Sequence, residues 1–242
     1  MRPRIPLCLL GAAVLLLVPA CTPPAAPLVE VAEVNPALGS LPEARLFVLL
    51  PDSVRLPESA YVGRLRAVAT HEGRATLDRL YPELRERANE MGANSYKVDA
   101  VCGSAAPCEV LVDLFAAGDD VLGREHVALP PDAVVVFGDL RAGGGATGFD
   151  LNGEPAEVPP LHYGVHVATS ETTISKGGAL LGATVTLRGG EGRLPTFWSM
   201  TGFGVGPGQG RGLGISFNTG RVYPVSAPLG DFLVAVLPRA DL

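Results

Sequence analysis

The sequence predicts an α+β protein in which a small open β-sheet domain with one helix precedes an all-β domain. Two observations carry this prediction. One amphipathic helical pattern lies in the first half of the chain, between short runs typical of strands. From Pro130 onward the helical period is lost, and most of the 30 glycines lie between Gly138 and Gly220 among short strand-like runs.

Residues 1–20 have the pattern of a secretory signal peptide. Arg2 and Arg4 give a positive start, the run 6–18 is nearly all apolar, and Ala20 is small. The run is shorter than the about 20 apolar residues that a membrane-spanning helix needs. We therefore expect the protein to be exported and residues 1–20 to be removed.

Val18-Pro19-Ala20-Cys21 resembles the lipobox of bacterial lipoproteins. The resemblance implies that Cys21 becomes the first mature residue and carries acyl chains, palmitate among them. Thr22 rather than aspartate implies the outer membrane, if the organism has one. Residues 21–42 are then the lipidated cysteine and an extended tether, because 22–42 hold five prolines and few aromatics. An ordinary signal peptide with a cysteine near its end is the alternative.

Charge limits the classes of partner. The chain carries −6 at pH 7, and loss of Arg2 and Arg4 with the signal takes the mature protein to −8. An acidic protein is a poor candidate for binding nucleic acid, or for binding anionic membranes by charge alone. The partners expected are the membrane, through the lipid, and an envelope protein or glycan.

The remaining cysteines predict a disulfide. Cys8 leaves with the signal and Cys21 is assigned to the lipid, so Cys102 and Cys108 form an even pair. In an exported protein such a pair is typical of a disulfide, and the spacing differs from the C-x-x-C redox motif. A metal or redox site is the alternative.

The first folded part is predicted over residues 43–118 with the order β-β-α-β-β. The strands are 45–50, 61–69, 95–101 and 109–115, and the helix runs from Leu77 to Met91 with Gly92 as its cap. Pro82 predicts a kink, or a helix that starts near it. The two cysteines lie at facing ends of the last two strands, so their bond would close the mouth of a hairpin.

Part of this domain carries a second resemblance. Leu84-Arg-Glu-Arg-Ala88, then Met91-Gly-Ala-Asn94 and a strand, is similar to small α/β domains of bacterial envelope lipoproteins. The outer-membrane stress-sensor lipoproteins of the Rcs system belong to that broad group. The similarity covers residues 77–101 and implies a non-enzymatic envelope domain, with no site residue carried over.

The second folded part is predicted over residues 131–238, after a linker at 119–130. Turn signals such as Asn152-Gly153, which suits a type I′ hairpin, separate its short runs. The predicted strands are 133–137, 149–151, 162–169, 179–187, 194–203, 213–217, 221–225 and 232–237. Many short strands at regular spacing predict a β-sandwich or a small barrel.

Motifs for catalysis or metal binding are not evident. His162 and His166 would lie about 13 Å apart along a strand, too far to share a zinc ion. Ser216 lacks the final glycine of the G-x-S-x-G motif. Asp139, near a turn, is interpreted as a solvated cap. No catalytic residue, metal ligand or cofactor is therefore assigned.

One candidate binding surface is predicted from Trp198, Phe203 and Arg211. Residues 202–214 have glycine at every second position, which fits neither phosphate-loop spacing. If this stretch is extended, Phe203 and Arg211 lie on one side of it, open to a partner backbone or glycan. Core packing is the alternative role for Trp198.

These observations predict a lipid-anchored cell-envelope protein with a structural or binding role. Two alternatives stay open. One is an envelope sensor or assembly factor that contacts an outer-membrane protein, and the other is a hydrolase that acts on envelope polymers.

Overall fold

The computed structural model describes residues 29–36, 47–69, 76–99, 102, 108–122, 129–141, 144–177, 182–201 and 222–242. The predicted signal peptide, Cys21, Phe203, Arg211 and the predicted strand 213–217 lie outside these ranges. The fold is α+β and rich in strands, as predicted.

Five strands form the first sheet. They are β1 (Val29–Val34), β2 (Val48–Leu49), β3 (Tyr61–Ala69), β4 (Ser95–Val98) and β5 (Cys108–Phe115). Their order is β1-β3-β5-β4-β2, and all neighbours are antiparallel except β2 and β4. A 3-10 turn, Glu58–Ala60, leads into β3.

β1 lies inside the predicted tether, so that part of the tether prediction is wrong. It pairs with β3 as an edge strand, and Val29 is its one buried residue. The sequence Val-Glu-Val-Ala-Glu-Val partly alternates apolar and polar residues, a pattern typical of an exposed strand. The prediction of an extended tether gave more weight to the prolines before and after this segment than to its alternation.

Helix α1 runs from Leu77 to Glu90 and packs on the first sheet. Its buried residues are Leu77, Leu80, Tyr81, Leu84 and Ala88. They lie at helical spacing on one face, as expected of the amphipathic pattern. Gly92 follows with φ 80°, the left-handed conformation expected of a helix cap. Pro82 lies within the helix, which begins at Leu77 rather than near the proline.

Two further sheets follow α2, a single turn at Asp119–Leu122. The second sheet is antiparallel and contains β7 (Thr147–Leu151), β8 (Glu154–Val158), β10 (Glu171–Lys176) and β11 (Ala183–Arg188). The third sheet is mixed and contains β6 (Ala133–Phe137), β9 (Tyr163–Val167), β12 (Thr196–Ser199), β13 (Tyr223–Val225) and β14 (Arg239–Ala240). Their orders are β11-β10-β7-β8 and β13-β12-β6-β9-β14, and neither sheet closes into a barrel over the described residues.

Helix α3, Ala227–Val236, shows that the all-β prediction for 131–238 is wrong. The apolar run 232–237 was predicted as a strand, and a continuous apolar run does not distinguish a buried strand from a buried helix. Ser226 before the helix and Pro228 in its first turn are the start signals that favour a helix. In the described ranges, no helix has the length and apolar content needed to cross a bilayer.

The two long helices connect the first sheet to the third. The ring centroids of Tyr81 in α1 and Phe232 in α3 lie 5.1 Å apart. α3 also contacts β2 of the first sheet and β12 of the third. Gly230 of α3 lies so close to the ring of Phe197 in β12 that a Cβ would overlap it. The residues on the two sides of the predicted linker therefore share one hydrophobic core.

β6 is buried on both faces. Val135 and Phe137 belong to the core around the helices, whereas Val134 and Val136 belong to a second core against the second sheet. Side chains of a strand alternate between its faces, so one strand supplies both cores.

Cys102 and Cys108 form a disulfide, as predicted, with their Cα atoms 5.2 Å apart. Both cysteines are buried. The N–H of Cys102 donates a hydrogen bond of 2.7 Å to the carbonyl of Val236. The disulfide therefore lies where the first sheet meets the end of α3.

Candidate functional site

A cleft of about 300 Å³ opens between the second and third sheets, beside the start of β6. Buried Ala133, Val134 and Ala168 lie at its base. The other residues that line it are Asp132, Thr186, Leu187, Arg188, Arg193, Leu194 and Thr196. Its volume is at the lower end of the range for small-ligand sites, and an apolar base with a few polar groups is typical of them.

Asp132 fixes the loop at the mouth of the cleft. Its carboxylate accepts hydrogen bonds from the backbone N–H groups of Gly192 (2.7 Å) and Arg193 (3.1 Å). The hydrogen bond from Arg193 is the main cause that lowers the pKa of Asp132 below its usual 3.8. Asp132 has φ 58°, a left-handed conformation that aspartate tolerates better than most residues. Arg193 and Leu194 are thereby held beside the cleft.

Two arginines, Arg188 and Arg193, line the cleft. Arg193 forms an ion pair with Glu191, and both side chains are more than half exposed. Arg188 lies opposite Glu171 in the register of β10 and β11, and it has no ion pair within the described parts of the chain. Guanidinium groups bind carboxylates and phosphates well, so the cleft suits an anionic or carbonyl-rich ligand.

Trp198 adjoins the cleft through Thr196. The indole Nε1–H donates a hydrogen bond of 3.1 Å to the hydroxyl of Thr196. The two residues are two apart in β12 and therefore share a face. Trp198 is half-buried and packs against the second core. Trp198 thus supports the cleft wall from the core side. Its predicted grouping with Phe203 and Arg211 in one binding surface is not tested, because those two residues lie outside the described ranges.

A broader depression of about 700 Å³ lies over β7 and β8. The residues that line it are Gly148, Phe149, Asp150, Pro155, Ala156, Glu157 and Gly177. It is wide and open to solvent, and a Cβ at Gly148 would meet no neighbouring atom. The cleft is the better candidate because its base is buried and its mouth is fixed by Asp132.

Asp139 is not the solvated cap that the sequence suggested. Its residue is 6 % exposed, and its carboxylate accepts hydrogen bonds from the guanidinium of Arg141 at 2.6 and 3.0 Å. Burial acts to raise the pKa of Asp139, but the hydrogen bonds from Arg141 outweigh it and hold the pKa below its usual value. This ion pair lies beyond the far end of β6 and is separate from the cleft.

His162, directly before β9, and His166, within β9, each lie close to a polar group of the protein. His162 Nδ1 lies 2.7 Å from the carbonyl of Pro160, and His166 Nε2 lies 3.4 Å from the hydroxyl of Thr172. Among the described residues, no group of three or more His, Cys, Asp or Glu side chains could hold a metal ion.

The sequence did not single out Asp132, Arg188 or Arg193. Asp132 lies in the turn before β6, Arg188 ends β11, and Arg193 lies in the loop after β11. The contact between the two sheets brings Asp132 beside these arginines, which are more than 50 residues away in the sequence. Asp132 follows Pro130 and Pro131 and directly precedes the buried strand β6. That sequence was the local signal for the turn at the mouth of the cleft. Comparisons of the chain with protein-family models, with curated proteins and with solved structures found no match.

Proposed function

We propose that this chain is an exported lipoprotein, anchored to a cell-envelope membrane through Cys21, with a non-enzymatic binding role. The observation that carries export is the disulfide between buried Cys102 and Cys108. Structural disulfides persist in oxidising compartments outside the cytosol and are rare within it. An exported chain with a lipobox-like sequence at 18–21 is the substrate expected for lipidation.

Labelling with radioactive palmitate tests the anchor. Cys21→Ser should abolish incorporation of the label. Cys8→Ser is the matched control, because Cys8 lies in the part of the signal that is removed, and it should leave labelling unchanged. Full labelling of Cys21→Ser would contradict the proposal.

We also propose that the second and third sheets form a β-sandwich that presents the cleft as the binding site. The second core supports this arrangement, because Val134 and Val136 of β6 pack there with Phe149 and Ile174 of the second sheet. The ligand is an envelope protein or glycan that places a carbonyl, carboxylate or phosphate near Arg188 and Arg193 and an apolar group on Val134.

Site-specific photocrosslinking in living cells tests the cleft. A photoreactive residue at Leu194, which is 58 % exposed at the mouth, should capture a defined partner. The same residue at Thr184, exposed on β11 but outside the cleft, should not capture it. Thr196→Phe should fill the cleft and abolish capture at 194. Equal capture from both positions, or capture unaffected by Thr196→Phe, would contradict a binding role for the cleft.

The captured partner also distinguishes a structural role from that of an envelope sensor or assembly factor. An outer-membrane protein crosslinked at Leu194 would favour a sensor or assembly factor. A glycan would favour a structural role.

A further inference from the structure

We infer that the Val29 end of the first sheet, where the disulfide lies, is the end of the molecule that faces the membrane. This inference rests on the proposed lipid at Cys21. The lipid surface is then the neighbour of the Val29 end, and the folded part of the protein can move only a limited distance from that surface.

The limit comes from the length of chain between the lipid and the first strand. Eight peptide steps separate Cys21 from Val29, the first residue of β1. A fully extended chain covers at most about 3.6 Å per residue, so this link cannot exceed about 29 Å. A tether that ran to residue 42 would reach more than about 70 Å.

The link cannot lengthen unless β1 detaches from the sheet. β1 pairs with β3 from Val29, opposite Ala67, to Val34, opposite Gly63. Val29 is 4 % exposed and belongs to the core around the helices. After the strand, the backbone N–H of Asn35 donates to the carbonyl of Val62 at 2.9 Å. The exposed residues of β1, 30–34, are therefore held to β3 at both ends.

The register of the sheet shows which end holds the link. Ala67 of β3 lies opposite Val110 of β5, and Ala69 lies opposite Cys108. Val29 is therefore on the same end of the sheet as the disulfide. The other end carries Tyr61 and Phe115, and the six residue steps from Ala67 to Tyr61 place it about 20 Å away.

The charges at this end favour a position beside the bilayer rather than within it. Glu30 of β1 and Glu109 of β5 both pair with Arg66, at 3.7 and 3.0 Å. Among the described residues, this group of two carboxylates and one guanidinium gives no net attraction to anionic headgroups. The inference therefore depends on the lipid on Cys21 and not on these charges.

Resonance energy transfer on the lipidated full chain tests the orientation. A donor dye is attached to Glu30→Cys at the near end or to Glu58→Cys at the far end, both exposed positions. The protein is placed in phosphatidylethanolamine vesicles that contain a headgroup-labelled acceptor lipid. We expect transfer about twofold greater from position 30, because the link holds that position within about 32 Å of the lipid. Inserting 20 Gly-Ser residues between Ala26 and Pro27 should remove most of this difference.

The outcomes separate the inference from the function on which it rests. Equal transfer from the two positions in a chain whose mass shows the lipid would overturn the orientation alone. A difference that survives the insertion would show that something other than the link sets the orientation, and would also overturn it. A mature chain whose mass shows no acyl group would overturn both this inference and the proposed anchor.

Discussion

Asn94 and Ala117 are joined by two hydrogen bonds that close the far end of the first sheet. The side-chain amide of Asn94 donates to the carbonyl of Ala117, and its carbonyl accepts the N–H of Ala117, each at 2.8 Å. The backbone N–H of Asn94 donates to the carbonyl of Phe115. The Gly-Ala-Asn sequence therefore has a physical role, because Gly92 ends the helix and Asn94 takes the place of a strand residue opposite β5.

Asn94→Ala should lower the free energy of unfolding by about 1–3 kcal/mol, since it leaves two partly buried backbone groups of Ala117 unpaired. Urea unfolding followed by circular dichroism measures the change. Asn89→Ala is the matched control, because Asn89 lies in α1 and its side-chain oxygen accepts no hydrogen bond. Similar losses in the two variants would show that the pairing with Ala117 contributes little.

Gly230→Ala should destabilise the protein by about 1–3 kcal/mol, although alanine is the better helix former. The added methyl group would overlap the ring of Phe197 and push α3 away from β12. Gly148→Ala, where the methyl group meets open space, should stay within about 0.5 kcal/mol of the parent protein. A Gly230→Ala protein with an unchanged or raised melting temperature would contradict the close packing of α3 on the third sheet.

Asp231 should make stability depend on pH between about 4 and 6. Burial raises the pKa of this carboxyl in α3 from 3.8 to about 6. The folded protein then binds a proton more tightly than the unfolded chain, so the free energy of unfolding falls as pH rises through this window and levels off above it. Tyr81 of α1 and Tyr96 of β4 are titratable groups close enough to interact with Asp231.

Asp231→Asn should remove this dependence and raise stability at pH 7 by about 1–2 kcal/mol, after allowing for screening by water. Urea midpoints of both proteins at pH 4, 5, 6 and 7 measure the effect. The difference between the two proteins isolates Asp231 from the other carboxyls. Parallel curves over the whole range would show that the carboxyl is solvated in the folded state.

Replacing both Cys102 and Cys108 with serine should cost about 2 kcal/mol, the loop-closure entropy of a short disulfide loop. Serine hydroxyls at two buried positions add to this cost. Thermal unfolding of the parent protein with and without a thiol reductant checks the bond independently of substitution. Free thiols at both positions in non-reducing mass spectrometry would refute it.

The sequence predicted elements whose local signals agree with one another. The helix at 77–90 combines an amphipathic face with a glycine cap, and β3 and β6 occupy the residues predicted for them. Predictions failed where two local signals compete, as at β1, where alternation opposes proline content, and at α3, where an apolar run fits either structure. The cleft could not be predicted, because the pairing of distant strands creates it.

The burial of β6 on both faces has a thermodynamic consequence. Its alternate residues complete the core around the helices and the core between the second and third sheets, so neither core can be lost without exposing half of this strand. The segments before and after residues 119–130 should then unfold cooperatively. Scanning calorimetry should show a single transition, with the calorimetric enthalpy equal to the van't Hoff enthalpy, rather than two separate melting events.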